Sequence, residues 1–267
     1  MLETALQSAL KQYQGKLGKA MRYSLFAGGK RFRPQLCFAT ATALGKSPQQ
    51  VLPIAAAIEM IHTFTLIHDD LPAMDNSDYR RGKLSCHKKF DEATAVLAGD
   101  ALNTLAFEVL AKTGNPQVVT EVSQALMQVV IGQVQDIESE GKKISLPALK
   151  KIHLNKTAAL LKACVRASAI QLKASKKQIQ ALTNYAEHLG LAFQIADDIL
   201  DVTSSQKKLG KPVLADKGKG FPNIVGLEKS KILARQEQAK ALAALKIFGR
   251  KAEELRRIVG FVVERES

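Results

Sequence analysis

The chain has 267 residues, of which 46% are hydrophobic and none is tryptophan, with a formal net charge of +14. That apolar share suffices for a sizeable core, and the abundance of Ala and Leu favours helix. The charge invites a nucleic-acid reading, but the lysines are spread over the whole chain, aromatics make up only 5%, and the acidic groups concentrate in motif-like segments, so steering of a small polyanionic substrate fits equally well.

Cys37, Cys86 and Cys164 are odd in number, widely spaced and without CxxC, so reduced buried thiols are expected rather than disulfides or a zinc site. No Pro/Gly/Ser-rich linker divides the chain, and a single domain over 1–267 is expected. Apolar runs such as Val51 to Ile61 are broken by Pro53 and Glu59 and fall short of the roughly 20 residues a bilayer span needs. The N-terminus lacks a basic-then-apolar signal pattern. These features predict a soluble cytoplasmic protein with no stable membrane insertion.

Glu3 to about Phe26 reads as helical, with Leu6, Leu10, Leu17 and Met21 at helix-compatible spacing. In AGGKRFRP, Gly28 and Gly29 end that helix, and Lys30, Arg31 and Arg33 precede Pro34, which suits the first turn of the next. Glycines and basic groups at a helix N-terminus make a plausible anion site. Helices are predicted from Pro34 to Leu44 and from Ser47 to His68, the second opening on Ser47-Pro48 as cap and first position. It carries His62 and His68.

The segment from Ile61 to Gly82 then packs Asp69, Asp70, Asp75 and Asp78 beside Arg80 and Arg81. Unpaired buried charge costs several kcal/mol or shifts its pKa, so something charged is expected among them. A divalent cation bridging Asp oxygens to phosphate oxygens, with Arg forks on the remaining phosphate oxygens, satisfies both sets.

Beyond the connector at 86–90, Asp91 or Glu92 opens a helix through AVLAGDALNTLAFEVLAK. Asp100 is the one charge in its middle and is expected to be a buried, hydrogen-bonded carboxylate. Residues 118–140 are valine-rich, but Val122, Leu126, Val129, Gln133 and Asp136 follow one helix face, with the last two as a polar pair on it. Pro147 begins a helix through Ile170 carrying Lys156 and Thr157. Another, from about Lys176 to Val202, contains FQIADDILD. Its Asp197 and Asp201 stack one turn apart, with Asp198 adjacent and Gln194 a turn earlier. Such carboxylates repel unless a cation sits between them. Ser204 to Asn223 is the longest irregular segment, and helical pattern resumes to Glu264. No strand alternation is evident.

DDLPAMD at 69–75, DDILD at 197–201 and GGKRFRP at 28–34, with LAGDAL, GQVQD, HLNKT and LGK in order between and after them, resemble the short-chain trans-isoprenyl diphosphate synthases, the bacterial farnesyl-forming branch most closely. The resemblance implies an all-α isoprenoid-synthase bundle around a central cavity, working as a homodimer without nucleic acid. It implies that Asp69, Asp70, Asp75 and Asp197, supported by Asp198 and Asp201, hold three Mg²⁺ ions against an allylic diphosphate. Arg80, Lys156 and Lys211 would bind that diphosphate, Lys30, Arg33, His62 and Arg81 would bind isopentenyl diphosphate, and Thr157 and Gln194 would face the allylic cation. Lys219 is the equivalent of a loop lysine in the family, with Lys217 as competitor, because the family's K-x-T-Y-P is here a shorter KGFP.

The reaction implied joins isopentenyl diphosphate to dimethylallyl or geranyl diphosphate. Product length depends on the residues before Asp69. Phe64 and Thr65 lie five and four residues back and spacing alone does not choose between them, but Phe64 is the only aromatic there and the farnesyl-forming enzymes carry one, so a C15 product is expected. Geranylgeranyl or geranyl diphosphate synthesis is the alternative product. A terpene cyclase would lack the second Asp-rich motif, and a non-catalytic helical subunit would be expected to have lost one of the two. Two further departures are the short stretch before GGK and the replacement of acidic residues by Asn76 and Ser77.

Overall fold

The computed structural model describes residues 1–209 and 220–264, and of 204–209 and 264 only the backbone. These residues form thirteen α-helices and one two-residue hairpin. The fold is all-α. Residues 1–38 and 47–119 make one compact unit, and residues 39–46 with the chain from 120 onward make a second.

The first unit holds α1 (Leu2–Leu10), α2 (Gly15–Leu25), the start of α3 (Phe32–Ala43), α4 (Leu52–Asp69), a hairpin of β1 (Tyr79–Arg80) and β2 (Lys83–Leu84), α5 (Cys86–Lys89) and α6 (Glu92–Ala111). The predicted first helix is in fact two, parted at residues 11–14, where the chain turns and Gly15 takes φ +70°. Leu6, Leu10 and Met21 are buried, whereas Leu17 stays exposed.

Helix α4 is the core element, burying Ile54, Ile58, Met60 and Ile61. Each large aliphatic side chain so buried contributes about 1.5–3 kcal/mol. Pro53 does not break it. It sits in the first turn, where proline removes no helical hydrogen bond, and Glu59 is neutralised by a buried ion pair with Arg31. Pro48–Asp69 is therefore long and apolar enough to cross a membrane, as is Glu92–Ala111, contrary to the sequence expectation. Most of Pro48–Asp69 is buried within the protein, as in the core helix of a globular fold.

Asp91 caps α6 by accepting a hydrogen bond from Thr94 N at 2.7 Å. Helix α6 packs on α4, and Gly99 makes room for the His68 ring, since a Cβ there would lie 2.2 Å from His68 Nε2. The expectation of a buried Asp100 fails. Helix α6 buries the face of Ala95, Ala98, Leu102 and Leu105, leaving Val96, Leu97 and Asp100 outside, with the Asp100 side chain 60% exposed.

The second unit contains most of α7 (Pro116–Glu138), then α8 (Leu146–His153), a π-helical turn over Leu154–Ala158, α9 (Ala159–Gln171), α10 (Lys176–Leu209), α11 (Phe221–Val225), α12 (Leu227–Ala244) and α13 (Glu253–Glu264). Helix α7 confirms helix over strand for the valine-rich stretch. Helix α10 runs past Val202 into the segment expected to be irregular. It packs on α9 and α12, and Tyr185 on it donates from its buried hydroxyl to Leu255 O at 2.9 Å. The Arg166 guanidinium forks onto both Glu121 carboxylate oxygens and reaches Thr183 Oγ1, tying α7, α9 and α10 together. The three cysteines are free and buried.

Candidate active site

In the first unit, α4 ends at Asp69 and the chain curls back on itself. Asp75 N donates to Asp69 O at 2.9 Å and Ser77 N to Asp70 O at 3.1 Å, with Asn76 in the left-handed region at φ +48°. Asp69 and Asp75 are thus neighbours although six positions separate them. Asp70 goes another way: its carboxylate is 3% exposed and accepts from Arg80 Nε at 2.9 Å and from Nη2 of the same fork. Asp69 and Asp75, with the buried ion pair, raise the Arg80 pKa above its ordinary value, the Asp70 hydrogen bond contributing most.

The hairpin that presents Arg80 pairs Tyr79 with Leu84 and Arg80 with Lys83. Its turn residues Arg81 and Gly82 have φ +53° and +73°, the positive pair that a tight two-residue hairpin turn demands. Arg81 Nη1 donates to Gly28 O. Gly29 lies so near this guanidinium that a Cβ there would come 2.7 Å from Arg81 Cζ. The loop glycines therefore let the basic segment approach the hairpin.

His62, two turns before Asp69 on α4, meets Arg33 Nη1 at 3.2 Å through Nε2. Burial, reinforced by Arg33, Arg81, Arg80 and Arg31, holds its pKa well below the ordinary histidine value. A neutral imidazole amid guanidinium groups leaves this corner of the first unit strongly electropositive, an arrangement suited to an anion. Lys30 is exposed at its edge. Lower on α4, Phe64 is partly buried and set edge-on to His68 with ring centroids 5.6 Å apart. Thr65 Oγ1 instead donates to His62 O at 2.8 Å, within its own helix.

In the second unit, the π-helical turn presents Asn155, Lys156 and Thr157. Such turns widen a helix and cluster at functional positions. Lys156 Nζ lies 2.6 Å from Asp136 Oδ2, Asn155 Nδ2 donates to Gln135 Oε1 at 3.0 Å, and Thr157 Oγ1 donates to Gln194 Oε1 at 2.6 Å. Gly132 makes the first contact possible, since a Cβ there would lie 2.2 Å from Lys156 N. Asp197 is partly buried and Asp201 exposed. Asp198 is tied down: its Oδ2 accepts from Phe221 N at 2.8 Å and stands 3.7 Å from His153 Nε2, and the His153 ring stacks on Phe221. The role of Asp136 as partner of Lys156 and the His153–Phe221 stack escape the sequence reading, although Asp136 on an apolar face was a visible signal. Lys211, Lys217 and Lys219 lie outside the described residues.

Among the described residues, no group of three or more His, Cys, Asp or Glu side chains stands close enough together to cage a metal ion. The side chains of Asp69, Asp75, Asp197 and Asp201 offer only oxygen donors, the kind that hard divalent cations take.

A family model described as polyprenyl synthetase matches residues 14–262. The chain is 46% identical over 245 residues to the farnesyl diphosphate synthase of Geobacillus stearothermophilus, covering 86% of this chain and 82% of that one. It is 42% identical over 261 residues to the geranylgeranyl diphosphate synthase of Cyanophora paradoxa, covering 93% and 87%. The crystal structure of geranyltranstransferase from Thermotoga maritima superposes with a TM-score of 0.87 at 31% identity, covering 99% of this chain and 97% of that one. With the family model spanning nearly the whole chain and these relatives alike along it, the chain belongs to the polyprenyl synthetase family.

Proposed function

We propose that the chain is a Mg²⁺-dependent (2E,6E)-farnesyl diphosphate synthase, condensing isopentenyl diphosphate with dimethylallyl and then geranyl diphosphate. The carrying observation is the first unit's turn that brings Asp69 and Asp75 together through the Asp75 N to Asp69 O hydrogen bond, with a guanidinium cluster around neutral His62 in the same unit. One set suits a metal diphosphate and the other a metal-free diphosphate.

On this reading Asp69, Asp75 and Asp197 are direct ligands, with Asp198 and Asp201 in support and Asp70, which accepts from Arg80, holding that guanidinium in place. Three Mg²⁺ ions, when bound, supply charge stabilisation to the leaving diphosphate. Arg80, oriented by Asp70, and Lys156, oriented by Asp136, donate to that diphosphate as its bond to allylic C1 breaks, with Lys211 and Lys219 assigned to the same group. Lys30, Arg33, His62 and Arg81 hold isopentenyl diphosphate so that its double bond attacks C1. The new C–C bond forms, and the proton lost passes to the departing diphosphate, so no protein nucleophile is needed. Thr157 and Gln194 present oxygens toward the cationic carbon, and apolar walls keep water from quenching it.

Phe64 supports C15 as the end point. Its ring is only partly buried, and the Thr65 hydroxyl is occupied by its own helix. The alternative floor at Thr65, or a C20 product, would follow if the Phe64 ring swings aside. We further propose that residues 1–267 act as one catalytic domain in a cytoplasmic homodimer. The stripe Met127, Val130, Val134 and Ile137 left exposed along α7 supports the dimer, since contiguous apolar surface marks interaction sites.

The test is incubation of the pure protein with labelled isopentenyl diphosphate and each allylic primer, with and without Mg²⁺, followed by product sizing. Metal-dependent farnesyl product is the expected result. Absence of any prenyl product, or turnover in excess chelator, overturns the reading.

A further inference from the structure

The basic loop at 28–33 contains one arginine that the proposed anion site does not use. Arg31 holds φ +47°, a conformation unfavourable to a residue with a side chain. Its guanidinium explains why the strain persists. Nη1 donates to Glu59 Oε1 at 2.7 Å, Nε to Glu3 Oε1 at 2.8 Å and Nη2 to Leu25 O at 2.9 Å. The side chains of Arg31 and Glu59 are 15% and 2% exposed, so this ion pair is largely screened from water. Burial opposes the charge on Arg31, yet the two carboxylates more than offset it and raise its pKa.

The placement of this pair matters more than its strength. Glu59 stands one turn before His62 on α4. Arg31 stands between Lys30 and Arg33, and its carbonyl accepts from Gln35 N at 3.1 Å as α3 begins. Arg33 reaches His62 at 3.2 Å, and Arg81 closes the other side of the loop on Gly28 O. The buried Arg31–Glu59 bond thus ties the loop to α4 at the turn adjoining the His62–Arg33 contact. Its buried carboxylate also offsets one of the four guanidinium charges that bear on His62.

We propose that Arg31 and Glu59 are a positioning pair for the isopentenyl diphosphate site: they lock the 28–33 loop to α4 so that Lys30, Arg33 and His62 meet one diphosphate, without themselves touching it. The inference rests on the synthase reading above for the identity of the substrate, but the anion site itself can be tested without turnover.

Glu59→Gln and Arg31→Lys are the variants, the second keeping the charge while losing the fork. The expected result is a rise of at least tenfold in KM for isopentenyl diphosphate, with KM for geranyl diphosphate and kcat within about twofold of the parent. Glu59→Asp, which keeps a carboxylate, is expected to recover part of the loss. Calorimetric titration of the metal-free protein with inorganic pyrophosphate should show weaker binding by a similar factor in both variants. Parallel rises in both KM values, or no change in either, overturn the pairing role. If the parent makes no prenyl product but the variants still lose pyrophosphate affinity, the synthase reading fails while the positioning pair stands. Unchanged pyrophosphate affinity in folded Arg31→Lys sinks the pair whatever Glu59→Gln does.

Discussion

Lys156 Nζ is held 2.6 Å from Asp136 Oδ2, across from a glycine at 132 that alone allows the two backbones to approach so closely. Both side chains remain about one-third exposed, at 33% and 30%. A pair this wet contributes little to stability, typically under about 1 kcal/mol. Its value lies in aiming the ammonium.

Asp136→Ala is accordingly expected to lower kcat/KM for the allylic substrate about 10- to 100-fold, the equivalent of one charge-assisted hydrogen bond of roughly 1.5–3 kcal/mol. Its melting temperature should hardly move. A large drop in melting temperature with unaltered kcat/KM would make the pair structural.

Asp69→Ala and Asp197→Ala should each cut Mg²⁺-dependent turnover by orders of magnitude while circular dichroism still reports the parent helix content. Removing one member of a repelling set need not destabilise the metal-free protein. By contrast Asp70→Ala leaves Arg80 without its buried partner; because the Arg80 side chain is itself 36% exposed, the cost should fall below the roughly 3–5 kcal/mol of a fully buried pair, but it should still lower thermal stability as well as activity. Equal melting temperatures for the Asp69 and Asp70 variants would contradict the division of labour between them.

Phe64→Ala is expected to extend the product from C15 to C20 or longer. The ring is only partly buried, so the stability loss should fall below the roughly 3–5 kcal/mol of a fully packed phenylalanine. A folded variant that still stops at C15 would place the floor elsewhere on the chain.

His62 gives a pH signature. In the unfolded chain it titrates near 6.5, and burial with the surrounding guanidinium groups depresses that value in the folded protein. The unfolded state therefore binds the extra proton first, and the stability contributed by neutral His62 is present above 6.5 and lost as pH falls through the folded value. Replacement by Gln should flatten the denaturant-unfolding free energy below pH 6.5 relative to the parent. An unchanged acid limb would mean that His62 titrates normally.

Helix identity, the Ser47 cap and both acidic motifs were legible in the residues, because each is a local relation. Ser47 capping the turn that leads into α4 and the face shared by Val122 and Asp136 follow from spacing within one or two turns. Local reading also overreached where one residue type has two meanings. Pro53 breaks a helix in its middle but begins one in its first turn, and Asp100 on an apolar stretch was buried only if both faces of α6 were.

What the tertiary structure alone decided is which charge meets which. The motif DDLPAMD names three carboxylates without telling that Asp69 and Asp75 become neighbours through a backbone hydrogen bond while Asp70 turns inward to Arg80. Arg31 with Glu59 and Lys156 with Asp136 pair across 28 and 20 positions. Such partners are set by how elements approach, and glycines 29, 99 and 132 stand at contact points, where the missing Cβ makes room for a guanidinium, an imidazole and a backbone respectively. Periodicity records which face of a helix is apolar. It holds no information on the distance at which another helix will settle against that face, and charge pairing is a matter of distance.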